Sequence, residues 1–135
     1  MITRTSPDVD YVSKAVLDSF GIAQVVRYNE TVYISGVAPV RGDTSNVKIV
    51  SSQMAEQLTF VLRVIDDLLK SEGLDRSKLL YWDFYTTDMA AMVEAFPSTV
   101  VPWVGKHLPA NTMVEVKGFV LPGQLIEVSA VAARS

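Results

Sequence analysis

The sequence has no cysteine and only one histidine, and these two absences exclude several kinds of site. Without cysteine there can be no disulfide, no thiolate metal ligand and no cysteine nucleophile. A lone imidazole, His107, excludes a metal centre built from several histidines. The chemistry must therefore come from carboxylates, hydroxyls, amides or backbone groups.

Clustered positive charge and long apolar runs are also missing. The formal net charge is -3, and lysines and arginines are scattered singly along the chain. Because a phosphate backbone is bound by clustered cations, nucleic acid is not expected as a partner. No run approaches the roughly 20 apolar residues of a membrane span, and the first residues lack the apolar core of a signal peptide. We expect a cytoplasmic protein with no membrane partner.

What the chain does contain is enough apolar material for one domain. It has 135 residues, of which 49% are hydrophobic, and a chain of this size can bury a real core. Hydrophobic periodicity and turn residues predict the elements in order. They are a short helix or ordered arm over 8–19, a hairpin over 24–37 turning at 29–30, a loop over 38–50, a helix capped by Ser51 or Ser52 and closed by Gly73, a strand over 79–86, a helix over 89–107 broken by Pro97 and Pro102, and a last pair of strands, 111–119 and 125–132, turning at 122–123.

The order hairpin, helix, strand, helix, hairpin predicts an α+β fold. Two helices would cover one face of a mixed β-sheet, as a two-layer sandwich. The other face keeps apolar residues, and such a face usually needs another subunit to cover it. We divide the chain into an N-terminal arm or short helix, residues 1–19, and a single domain, residues 20–135.

The candidate chemistry is concentrated in the last two predicted strands, which carry Asn111, Glu115 and Glu127. A carboxylate in an otherwise apolar strand is unfavourable unless it is hydrogen-bonded or faces a polar cleft. Glu127 is therefore the leading catalytic candidate. The competing interpretation is an interface carboxylate bonded to backbone amides. Glu115 fits a sheet-face or interface partner better than a catalyst.

A series of short segments occurs along the chain in a characteristic order. They are Gln24 with Ser35-Gly36 and Pro39; the helix with Gln57; Tyr85-Thr86-Thr87-Asp88-Met89; Gly105 to Ala110; Val114-Glu115-Val116; and Leu121-Pro122 with Ile126 to Ala132. In this order and spacing they resemble the Rid family (RidA/YjgF reactive-intermediate deaminases, also described as L-PSP endoribonuclease-like), over roughly residues 20–133.

This resemblance implies a chorismate-mutase-like protomer in a homotrimer, with ligand clefts between subunits. Members similar to the deaminases hydrolyse enamines and imines to ketones and ammonia with no metal or cofactor of their own. A glutamate and a hydroxyl position the water, and an arginine clamps the substrate carboxylate. The glutamate corresponds to Glu127, and the Ser-Gly pair corresponds to Ser35 and Gly36.

The chain departs from the family pattern at the clamp, where Asn111 stands in place of the arginine. A neutral amide lacks the charge-assisted bonds with which arginine binds a carboxylate. Ile22 stands in place of a site tyrosine, whereas Phe20 and Phe119 are candidates to line the cleft. The alternative sources of a relocated cation, each more often a solvated surface residue, are Arg27, Arg41 and Lys117.

The leading hypothesis is a Rid-like deaminase that hydrolyses a small enamine, imine or related carbonyl compound in an intersubunit cleft, other than the usual amino-acid-derived imino acids. Glu127 would orient the water, while Ser35, Asn111 and the Gly36 backbone would hold the substrate. The alternative is a non-catalytic ligand-binding or regulatory trimer of the same fold. A ribonuclease is disfavoured by the acidic charge balance.

Overall fold

A computed structural model describes the whole chain, residues 1–135. The strands are β1 (Ile2–Thr5), β2 (Val25–Tyr28), β3 (Thr31–Val37), β4 (Val40–Arg41), β5 (Lys48–Ile49), β6 (Leu79–Thr86), β7 (Ala110–Glu115) and β8 (Ile126–Ala133). The helices are α1 (Lys14–Ser19), α2 (Met54–Ser71), α3 (Met89–Ala95) and α4 (Val100–Val104), with 3-10 turns at Arg76–Lys78 and Phe96–Ser98. None of the helices combines the length and hydrophobicity that crossing a bilayer requires.

Six strands form one mixed sheet in the order β1-β2-β3-β8-β6-β7, and β4 and β5 form a separate ribbon. Every neighbouring pair in the large sheet is antiparallel except β6 and β7, which are parallel. A parallel pair cannot be joined by a tight turn, and here the connection carries α3 and α4. The predicted α+β fold with a mixed sheet is confirmed.

The helix α2 supplies the main apolar stripe of the helical layer. Leu58, Val61, Ile65 and Leu68 are fully buried at helical spacing, as the periodicity predicts. Gly73 follows the helix with a φ of 73°, the left-handed conformation that favours glycine at this position. The predicted serine cap is wrong, because the N-cap residue is Gln53.

The predicted helix over 89–107 is broken at Pro97, as predicted, but the predicted break at Pro102 is wrong, because Pro102 lies in the first turn of α4, where a proline is tolerated. Asp88 caps α3 by accepting a hydrogen bond from the Ala91 N–H at 3.1 Å. Pro97 lies in the 3-10 turn that separates α3 from α4. The pieces pack on the same face of the sheet as α2, against Trp82 and Phe84.

The last two predicted strands exist, but the hairpin between them is wrong. β7 pairs in parallel with β6, whereas β8 lies between β3 and β6. The residues of β8 alternate between buried and half-buried, while all residues of β7 are exposed. Burial therefore favours the central position for β8, and β7 takes the edge. Periodicity identifies a strand and its buried face but leaves its neighbours undetermined.

The first 19 residues contain more structure than the sequence predicts. β1 extends the sheet by pairing with β2, with Ile2 opposite Tyr28. The helix predicted over 8–19 is limited to α1, and the loop predicted over 38–50 contains β4 and β5. These strands have only two to four residues, so they offer almost no periodicity to detect.

Ser35 and Gly36 form an irregularity between β3 and β8. Ile34 pairs with Ala130 and Val37 pairs with Val128, so two residues of β3 face one residue of β8. Such a bulge bends the strand and changes the direction of its residues. It brings the Gly36 backbone toward the first residues of β8.

Gln57 fixes the turn that leads into β8. Its side chain is fully buried, and its amide nitrogen donates to the carbonyls of Ser51 at 2.8 Å and Gly123 at 2.9 Å. Its amide oxygen accepts from the Leu125 N–H at 2.8 Å. One side chain thus joins α2 to the chain just before Glu127.

We predict that Gln57→Met destabilises the fold by about 3 kcal/mol, because the backbone groups of Ser51, Gly123 and Leu125 each lose a hydrogen bond worth roughly 1 kcal/mol. Urea unfolding at one protein concentration measures the loss. The exposed Gln53 provides a matched control, since Gln53→Met leaves no buried group unpaired. Equal stabilities of the two variants would contradict this role for Gln57.

Candidate functional site

A cleft of about 300 Å³ lies between the N-terminal segment, the β3 bulge and the start of β8. Most of its wall is apolar, and Glu127 is its only charged residue. This size and an apolar wall with a few polar groups are typical of small-molecule sites. The cleft wall includes Tyr11, Phe20, Ile22, Gly36, Gln124 and Glu127.

The Glu127 carboxylate lies directly against the backbone of Gly36. A Cβ placed on Gly36 would stand 2.5 Å from Glu127 Oε2, closer than real Cβ contacts. The absence of a side chain at Gly36 therefore makes room for this position of the carboxylate. Strand alternation explains why Glu127 is available, because its neighbours Ile126 and Val128 are buried on the helical face.

Glu127 has little electrostatic compensation within the chain. Its one side-chain partner is the buried Gln124, whose amide nitrogen donates to Oε1 at 3.3 Å. It takes part in none of the ion pairs of the chain. A half-buried carboxylate in an apolar wall, with one long neutral hydrogen bond and no cation beside it, is suited to attract a cationic ligand.

Tyr11 also reaches this cleft, from the segment before α1. Its hydroxyl oxygen accepts a hydrogen bond from the Ala38 N–H at 2.9 Å. Burial, and less strongly the Glu127 charge, raises the pKa of Tyr11 from 10.0 to about 12, against the lowering effect of the Ala38 bond. The phenol is therefore a neutral hydrogen-bond donor at neutral pH.

The structure brings four of the predicted site residues together and separates the others. Gly36, Glu127, Phe20 and Ile22 all line the cleft. Ser35 does not line it, because its hydroxyl donates to the Ala23 carbonyl at 2.8 Å. Phe20 is 63% exposed at the mouth, so its ring is free to meet a ligand or another subunit.

Asn111 and Phe119 lie elsewhere in the protomer. Asn111 is paired with Trp82 in the sheet register, and it lines a different cavity beside Trp82 and α4. It therefore points toward the helical side, opposite to Glu127. Phe119 lines a shallow pocket with Thr87 and Leu125. Asn111 would meet Glu127 only across a contact between two copies of the chain.

The proposed sources of a relocated cation do not line the cleft. Arg27 pairs with Glu72 at 3.0 Å, and Arg41 pairs with Asp10 at 2.8 Å. Lys117 is exposed and is not part of the cleft wall. Within one chain no positive charge replaces the arginine that the resemblance implies.

Sequence reasoning missed Tyr11 and Gln124. Gln124 follows the predicted turn and precedes an apolar strand. A polar side chain at this position, three residues before Glu127, could have indicated a hydrogen-bond partner for the carboxylate. Tyr11 stood among valines at helical spacing, and only the folded chain brings it to Ala38 and Glu127. The chain contains no cluster of three or more His, Asp or Glu that could hold a metal ion.

The comparisons with known proteins agree with this fold. The model of the family "Endoribonuclease L-PSP" matches residues 15–134. The chain belongs to this family. It is the Rid family of the sequence resemblance, since solved structures of YjgF-family proteins share its fold. The match begins at residue 15, after Tyr11.

Three solved structures illustrate the likeness. Yeast Mmf1 has 22% identity, a TM-score of 0.82 and 98% of each chain covered. A Mycobacterium tuberculosis protein of the YjgF/YER057c/UK114 family has 23% identity, a TM-score of 0.79, and 98% of this chain and 99% of that chain covered. A Thermotoga maritima protein named as a candidate endoribonuclease has 23% identity, a TM-score of 0.78 and 97% of each chain covered. Among curated proteins, none matches the sequence.

We predict that Glu127→Gln lowers the pKa of Tyr11, because the carboxylate no longer opposes the phenolate charge. The pKa should stay above 10.0, since burial is the larger cause of the shift. Ultraviolet titration of phenolate formation, taken as the difference from Tyr11→Phe, measures it. An unchanged value in Glu127→Gln would mean that the two groups do not interact.

The same shift predicts a loss of stability at high pH. The folded protein holds the Tyr11 proton more tightly than the unfolded chain, so this contribution is present below pH 10.0 and is lost as the pH rises toward about 12. In Tyr11→Phe the free energy of unfolding should fall less steeply over this range.

Proposed function

We propose that this protein hydrolyses a small apolar imine or enamine, or a related carbonyl compound, that carries no carboxylate. The cleft has the size for such a ligand and an apolar wall. Its single charge, on Glu127, complements a protonated imine and repels an anion. The observation that carries the proposal is this lone carboxylate without any neighbouring cation.

The reaction needs only water and a proton acceptor. Water attacks the carbon of the protonated C=N group, the π pair moves to nitrogen, and the Glu127 carboxylate takes the proton that water gives up. Glu127 then returns the proton to nitrogen and the C–N bond breaks. The oxygen completes a carbonyl, and its hydroxyl proton leaves with ammonia as ammonium. An enamine forms the same cation when its carbon is protonated.

Gly36 supports this role by fixing where the carboxylate lies. The close contact between the Gly36 backbone and Oε2 restricts the acid to one side of the cleft. Catalytic groups act efficiently only when they are held in position before the substrate arrives. Gly36 and Glu127 thus form a single unit across the β3–β8 pair.

We also propose a homotrimer with the cleft near a subunit boundary. Phe20 and Val120, at the mouth, are 63% and 75% exposed, and exposed apolar groups of this kind are commonly covered by another chain. In this arrangement a second copy would supply Asn111, whose neutral amide would hold the ligand without a charge.

A ribonuclease is not favoured by this cleft, although the family description and the name of the Thermotoga maritima protein contain that activity. Binding RNA requires cations along the phosphate path. The only charged group in the wall is negative. An RNA backbone would therefore be repelled rather than bound.

The test uses two imines that differ in one group. Oxidation of 4-methylpentan-2-amine gives 4-methylpentan-2-imine, and oxidation of leucine gives the same skeleton with a carboxylate in place of one methyl group. We predict that the protein accelerates ketone release from the first and not from the second, after subtraction of the spontaneous rates. Faster hydrolysis of the carboxylate-bearing imine would contradict the proposal.

Two variants separate the presence of the carboxylate from its position. Glu127→Gln should reduce kcat by at least about 100-fold, the range of lost acid–base catalysis. Gly36→Ala keeps the charge but displaces the carboxylate, so kcat should fall while the fold persists. The exposed Glu94 provides a control, because Glu94→Gln should leave kcat unchanged. Ligand binding by the wild type without turnover would favour the non-catalytic ligand-binding trimer.

A further inference from the structure

Tyr11 presents an unused hydrogen-bond donor to the Glu127 cleft. Its oxygen accepts from the Ala38 N–H at 2.9 Å, and no group of the chain accepts its own proton. A largely buried hydroxyl normally uses both capacities. The unused donor therefore has its natural acceptor in whatever occupies the cleft that Tyr11 lines.

The segment that carries Tyr11 is held firmly in place. Both carboxylate oxygens of Asp10 bind Arg41, at 2.8 and 3.0 Å. Arg63 donates to the Asp10 carbonyl at 2.9 Å. The Ser13 N–H donates to the Gly42 carbonyl at 2.9 Å. Bonds on both sides of Tyr11 thus position its ring before any ligand binds.

The ring of Tyr11 has a second support in the core. It lies 6.4 Å from the ring of Phe60, at an angle of 44°. This packing favours a single ring position. The Ala38 N–H bond also polarises the hydroxyl, because a hydroxyl that accepts a hydrogen bond becomes a better donor.

We propose that Tyr11 donates a hydrogen bond to the oxygen that enters the reaction as water and leaves as the ketone oxygen. This assignment rests on the proposed function, and it adds a catalytic residue from outside residues 15–134, which the family model matches. Glu127 accepts the proton of that oxygen, while Tyr11 binds its lone pair. Together they orient the water and then stabilise the product carbonyl.

The protonation state of the phenol agrees with its role as a hydrogen-bond donor. Burial raises the pKa of Tyr11 to about 12, so the phenol keeps its proton and acts only as a donor. The carboxylate acts as the acceptor. A donor and an acceptor on the same cleft wall, here Tyr11 and Glu127, hold a water molecule in a single orientation.

The first test measures turnover of 4-methylpentan-2-imine by Tyr11→Phe. Loss of one donor to a reacting oxygen reduces kcat by on the order of 100-fold. KM should change little, because phenylalanine keeps the ring and its contact with Phe60. The exposed Tyr28 gives the control Tyr28→Phe, which should keep the wild-type kcat. A kcat for Tyr11→Phe equal to that of the wild type would overturn the assignment.

The second test requires no turnover. Carbonyl-labelled 4-methylpentan-2-one is added to wild type and to Tyr11→Phe, and the infrared carbonyl band of the bound ketone is compared. A donated hydrogen bond lowers the carbonyl frequency, so the band should lie lower in the wild type. Equal frequencies, or no binding of the ketone to the wild type, would overturn the assignment.

A third measurement uses the wild type alone, in case Tyr11→Phe does not fold. The hydroxyl proton of Tyr11 is observed by NMR in protein with labelled tyrosine rings. Addition of the ketone should move this proton downfield, and no movement at saturating ketone would overturn the assignment. If the wild type hydrolyses no imine but the carbonyl band and this proton respond, the proposed function fails while Tyr11 remains a ligand donor.

Discussion

The insertion of β8 between β3 and β6 is the constraint on which the rest of the structure depends. β3 and β6 are separated by a long stretch of chain that includes α2, and only the last strand joins them. Because β8 alternates, its buried residues complete the core under α2, and its other residues form the opposite face. The position of Glu127 in the cleft is thus a consequence of the same alternation that buries Ile126 and Val128.

Two local features convert this strand arrangement into a site. The bulge at Ser35 and Gly36 places one extra residue in β3 relative to β8, and Gly36 leaves space for the Glu127 carboxylate. Gln57 fixes the turn before β8 through bonds on both of its amide atoms. The carboxylate is therefore held by backbone geometry and buried amides rather than by a neighbouring cation. That arrangement leaves its charge available for a ligand.

The family relationship establishes the fold of this protein, whereas its substrate depends on the side chains of the cleft. Membership of the endoribonuclease L-PSP family is established by the match over residues 15–134, and structural neighbours near 22–23% identity share the fold. The cleft of this chain combines a glutamate with an apolar wall and contains no cation. A shared fold does not fix a substrate, because specificity resides in the side chains of the site. The proposal of a ligand without a carboxylate rests on the electrostatics of this cleft.

The N-terminal segment is joined to both the sheet and the cleft. Residues before the family match supply β1 at one edge of the sheet and Tyr11 at the cleft. Asp10 binds Arg41, and this pair joins the segment to β4. The segment is thus part of both the sheet and the cleft wall, although its sequence contains little regular pattern.

Most helices and strands of this protein could be predicted from the sequence, because they depend on interactions between neighbouring residues. The first hairpin, the stripe of α2, Gly73 after that helix and the broken helix around Pro97 all follow from periodicity and backbone preferences of neighbouring residues. Glu127 stood out because a carboxylate interrupts an apolar strand. The partners of β7 and β8, the opposite orientation of Asn111, and the meeting of Tyr11 with Gly36 and Glu127 were decided only in the tertiary structure. They depend on which distant surfaces bury one another most completely, and a one-dimensional pattern records the face that a residue prefers but not the neighbour that covers it.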